Sequence, residues 1–169
     1  MNVMRLFVAV ALTLAGQLVL APKMAIAGVR PDFLVLLLVI LALRTGPAGG
    51  ALLGFTIGIL QGLIVPETLG MDALAKAVVG WAVGKIAPTL AMEGPPLYFG
   101  LPAVSLLAHD VVFLVCLTRL DVLRIAEVFV LQSVPIAVYT GVLSVVVGLL
   151  SDVVMGGVLN RTTEARRGG

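Results

Sequence analysis

The sequence predicts an all-α polytopic membrane protein, a compact bundle of about six transmembrane helices. Of 169 residues, 60% are hydrophobic and 12% charged, with a mean hydropathy of +1.18, whereas charged residues make up roughly a quarter of a soluble domain. The apolar residues (60% of 169, about 101) and the 19 glycines together supply about six times the ~20 residues that one hydrocarbon crossing takes. What remains is shared among loops and tails and leaves no room for a folded aqueous domain. Residues 1–150 therefore read as a single transmembrane bundle and residues 151–169 as a basic cytoplasmic tail.

Six apolar segments carry that prediction. The first, Leu6 to Leu20, follows Arg5 and precedes Ala25-Ile26-Ala27, which has the small-x-small form of a signal cleavage site. Because the chain behind it is itself a string of spans, an uncleaved first span that doubles as insertion signal is the simpler reading. The second, Phe33 to Leu43, is cleanly apolar over only about half a crossing length and reads as short, tilted or re-entrant. Arg44 to Pro47 turns into the third, Gly46 to Val65, which Pro66-Glu67 ends. The fourth runs from Met71 to Ile86, and the fifth, Leu97 to Leu117, is opened by Pro95-Pro96. The charged stretch Thr118 to Glu127 places Leu120, Leu123 and Glu127 at helical spacing, with Asp121 three residues before Arg124, which predicts a short interfacial helix. Val128 to Leu150 is the sixth segment.

Orientation follows from Lys and Arg in the short loops. With both termini cytoplasmic, the inner side holds Arg5, Arg44, Lys85, Arg161, Arg166 and Arg167, and the outer side Lys23, Arg30, Arg119 and Arg124. This favours both termini on the cytoplasmic side. The net charge of +2 forms no basic stripe that could follow a phosphate backbone, so lipid and protein, not nucleic acid, are the expected partners. Cys116 stands alone, which excludes an intrachain disulfide, a redox pair and a Cys/His metal framework.

The strongest local pattern is Gly46, Gly50, Gly54, Gly58 and Gly62, one glycine at every fourth residue, echoed by Gly80 and Gly84 on the fourth segment. In lipid, helices associate through close backbone approach, which such small-residue faces permit. The stripe serves either the bundle itself or a partner's membrane helix, a second copy of the chain included.

Polar residues inside the spans are few. Counted at 1.5 Å per residue, Gln17, Gln61, Lys76, His109, Asp110 and Gln132 all fall about 5 to 12 Å from one membrane face, the outer one in this orientation. A charge at such depth is costly and turns to the protein interior or a wet cavity. Lys76 and Asp110 are expected to pair; His109, about 100° round the helix from Asp110, need not join them. The readings of this cluster are contacts within the bundle, a partner-docking or ligand-binding polar cavity, and proton-coupled transport, in that order. A single histidine and the lack of a two-carboxylate arrangement give no support to catalysis, and no cofactor or metal is expected.

The stretch Arg30 to Lys85 resembles the rod shape-determining protein MreD family. The likeness lies in Arg30-Pro31-Asp32 opening a Leu-rich span, Gly-x-x-x-Gly leading to Gly58-Ile59-Leu60-Gln61-Gly62-Leu63, and Leu69-Gly70-Met71-Asp72-Ala73-Leu74 before a small-residue span with Gly80 and Gly84. It covers about a third of the chain. Gly62 departs from the pattern, because many members carry an aspartate there, so no role of that carboxylate carries over. The resemblance implies a non-enzymatic membrane subunit of the cell-elongation (rod) complex that acts with the bitopic MreC and the actin-like MreB and supports the peptidoglycan polymerase RodA and its partner transpeptidase. It also implies a fold similar to the substrate-binding subunits of energy-coupling-factor vitamin transporters. That likeness supplies the alternative function, since Ala11-Leu12-Thr13-Leu14-Ala15 has the Ala-x-x-x-Ala form those subunits use.

Overall fold

A computed structural model describes residues 3–26, 28–68, 70–89, 95–118 and 122–149. The described chain is helical throughout, apart from one isolated bridge between Ile26 and Val29. Its helices are α1 (Val3–Lys23), α2 (Phe33–Gly62), α3 (Met71–Ile86), α4 (Pro95–Thr118) and α5 (Val122–Val128), which a π-helical turn (Phe129–Ser133) joins to α6 (134–149). Single 3₁₀ turns, Pro66–Thr68 and Ala87–Thr89, follow α2 and α3.

Among the described residues, four helical runs are long and apolar enough to cross a membrane: Leu6–Lys23, Phe33–Gly62, Phe99–Leu117 and Ile125–Leu149. The count differs from the six apolar segments for two physical reasons. The second and third segments are one helical run, because Pro47, whose missing N–H costs nothing at the first position of a helix, restarts the helix directly after Gly46. Gly46 itself has φ 74° and ψ −171°, outside helical space and tolerable for glycine alone. The run is also not straight. A Cβ placed on Gly50 would lie 3.0 Å from the Ala42 Cβ, whereas residues eight apart in a straight helix are separated by about 12 Å. The arms 33–45 and 47–62 therefore fold back on each other around Gly46. The fourth segment forms α3, whose 16 residues rise about 24 Å, short of the ~30 Å hydrocarbon core.

Part of the stretch expected as an interfacial helix is helical, as α5, which runs on through the π turn into α6, while Leu120 and Asp121 lie outside the described residues. The basic tail from 151 onward lies outside the described residues.

The core gathers around the first arm of α2. Leu34, Val35, Leu38, Val39 and Ala42 pack with Ile57 of the second arm, Val79 and Val83 of α3, Ala103 and Leu106 of α4 and Ala137 of α6. Asp32 starts that arm by accepting hydrogen bonds from the Leu34 and Val35 amides, both 2.9 Å, which satisfies donors that a helix start leaves free. Helix α1 sits at the edge and contributes only the partly buried Val10 and Leu14.

Candidate functional site: a buried ionic cluster between α3 and α4

The second arm of α2 and α3 run antiparallel with backbone against backbone. A Cβ on Gly50 would meet the Gly80 carbonyl, one on Gly54 the Lys76 carbonyl, one on Gly58 the Ala73 backbone, and one on Gly84 the Gly46 carbonyl. The contacts step four residues at a time along α2 and three or four the other way along α3, so the register is held along the whole seam. Gly62 is buried at the end of α2. This close approach fixes where α3 presents its polar residues.

Helix α3 begins after Gly70, which has φ 89°, a left-handed conformation suited to glycine. Asp72 lies in its first turn and Lys76 one turn later. In that order the carboxylate sits near the positive end of the helix dipole and the ammonium toward the negative end. The Lys76 Nζ is 2.6 Å from Asp72 Oδ1, and the lysine has no solvent contact. From α4, His109 brings Nε2 within 3.2 Å of Lys76 Nζ and 3.1 Å of Asp72 Oδ1, while its Nδ1 lies 2.9 Å from Asp110 Oδ1. Phe113, one turn further along α4, stacks on the imidazole with centroids 5.9 Å apart. With one ring proton, on Nδ1, the ring donates to Asp110 and accepts from Lys76; with two, Nε2 donates to Asp72.

This arrangement changes two expectations. The direct partner of Lys76 is Asp72, one helical turn away, and not Asp110. His109 is not a bystander but the link through which Asp110 joins the cluster. The i, i+4 spacing of Asp72 and Lys76 was the signal in the sequence for the first pairing. The contact with α4 has no such local sign.

The three glutamines lie elsewhere. Gln17 of α1 donates from Nε2 to the Pro31 carbonyl at 3.3 Å and accepts from the Phe33 amide at 2.8 Å, fixing α1 to the start of α2. The Gln61 Oε1 is buried and has no hydrogen-bond partner among the described residues. Gln132 is exposed within the π turn. A second polar junction was not foreseen. The Asp32 amide donates to the Thr140 hydroxyl at 3.1 Å, and the Tyr139 hydroxyl donates to the Met24 carbonyl at 2.9 Å, so α6 is tied to both ends of the α1–α2 loop. Nothing in the spacing of Tyr139 and Thr140 marks these partners, which are more than a hundred residues away.

Apolar helices of crossing length folded around a largely buried ionic cluster define a multi-pass helical membrane protein. The family model of the rod shape-determining protein MreD matches residues 1–150, and the chain belongs to that family. It is accordingly a rod-shape-determining membrane protein. No match is found among curated proteins or among solved structures.

Proposed function

We propose that the protein is a non-enzymatic subunit of the bacterial cell-elongation complex that binds MreC and supports peptidoglycan synthesis and rod shape. The observation that carries this reading is the family match across residues 1–150. The backbone-close seam between α2 and α3 and the buried cluster between α3 and α4 suit a rigid scaffold, which must present a constant surface to its partners.

In this reading the protein lies in the inner membrane and crosses it about six times. The reversal at Gly46 supports counting the arms of α2 as two short spans beside α1, α3, α4 and α5–α6, which returns both termini to the cytoplasm. Reporter fusions at Gly46 and at Pro66 should report opposite sides of the membrane. Equal signals from the two would overturn the six-span arrangement.

Depletion is the functional test. Loss of the protein should round the cells, and the purified protein should carry MreC and no small molecule. Cells of unchanged shape would refute the proposal. A bound vitamin together with an associated ATPase module would assign the chain instead to the transporter class.

A further inference from the structure

The cluster between α3 and α4 has a charge count that is incomplete. Asp72 and Asp110 contribute two negative charges and Lys76 one positive, which leaves one uncompensated negative charge when His109 is neutral. A protein interior at membrane depth strongly disfavours such an excess. A second ring proton finds acceptors in place, because His109 Nδ1 and Nε2 already face Asp110 and Asp72 at 2.9 and 3.1 Å, while the Lys76 ammonium, 3.2 Å from Nε2, opposes it and must turn its donors to Asp72. Among the described residues, Asp32 at the start of α2 adds a further negative charge to the field at the ring.

The network is also graded from an opening inward. Side-chain exposure falls from 20% at Asp110 to 8% at His109, 6% at Asp72 and 0% at Lys76. Each step along that series is a hydrogen-bonded contact. At 100° per residue, Asp110 lies on the arc of α4 between Leu106 on one side and Ala103 and Leu114 on the other, and all three are buried. Asp110 is thus the most exposed member of the cluster and the end at which a proton can enter.

We propose that His109 is the seat of an exchangeable proton-binding site, loaded through Asp110 and balanced by Asp72 and Lys76. Proton binding strengthens the α3–α4 contact, since the ring then donates to a carboxylate on each helix. Without the second proton, α3 is held to the ring only through the Lys76 ammonium.

The chain has one histidine, so ¹⁵N resonances of histidine-labelled full-length protein in lipid nanodiscs read this site alone. Both ring nitrogens should undergo a single one-proton transition between about pH 5 and pH 8, the range in which imidazoles act as switches. In Asp110→Asn the proton affinity should fall about tenfold or more, as expected for loss of a neighbouring carboxylate. A ring that keeps one protonation state across the range would overturn the proposal. So would a transition unchanged in Asp110→Asn, or one that follows sodium concentration at fixed pH and so assigns the missing charge to a metal cation. The pH and sodium titrations of the unmodified protein decide the matter even where Asp110→Asn does not insert.

Discussion

Removing the Lys76 ammonium would leave the Asp72 carboxylate facing the His109 ring without the cation that lies against it. Breaking one side of a buried pair costs about 3 to 5 kcal/mol in soluble proteins, because the remaining charge keeps its desolvation penalty. Lys76→Met should therefore lower thermal stability in nanodiscs by an amount of that order. Lys76→Met combined with Asp72→Asn should cost less than the sum of the two single changes, since groups in one network do not act additively. A smaller effect belongs to Thr140, whose hydroxyl accepts from the Asp32 amide. Thr140→Val leaves that donor without a partner and should cost about 1 to 3 kcal/mol, seen in the same melting experiment.

At the scale of elements, the glycines of the α2–α3 seam are not equivalent to Gly100 of α4. A Cβ on Gly54 would collide with the Lys76 backbone, which cannot move without shifting α3. Gly54→Leu should separate the two helices and destabilise the fold by at least the ~1 to 3 kcal/mol typical of overpacking. Gly100 of α4 has nothing within 4 Å of where its Cβ would be. Gly100→Ala should be neutral or stabilise by up to about 1 kcal/mol through helix propensity, and the contrast can be read by protease resistance of the two variants side by side. This difference was legible in the sequence as a pattern but not as a partner. The four-residue repeat announces a small-residue face, whereas the matching positions Gly80, Lys76, Ala73 and Gly84 emerge only when the chain has folded. Helix boundaries marked by proline and charge were also readable. The joining of the second and third segments was not, because Gly46-Pro47 can end a helix, kink it or restart it, and packing of Gly50 against Gly80 and Ala42 decides among these.

For the whole molecule, membrane residence followed directly from composition, and the concentration of polar groups followed from depth. Depth alone could not resolve which of them touch. Lys76, His109 and Asp110 come together with Asp72, while Gln17 ties α1 to α2 and Gln132 stays exposed. Rotation of each helix about its own axis settles such contacts, and that rotation is set by the apolar core. Expression of Gly54→Leu in depleted cells should restore rod shape less well than Gly100→Ala at equal protein level, scored as cell length over width. Equal rescue by both variants would separate the α2–α3 seam from the protein's role in shape.

The seam also limits how the bundle can change shape. Where backbone touches backbone at every fourth residue, there are no flexible side chains to absorb a small slide, and the next matching position is a full turn away, about 5.4 Å along the axis. The second arm of α2 and α3 thus behave as one keyed part. Any smaller adjustment has to take place on the other side of α3, where the helices meet through an imidazole and a few protons.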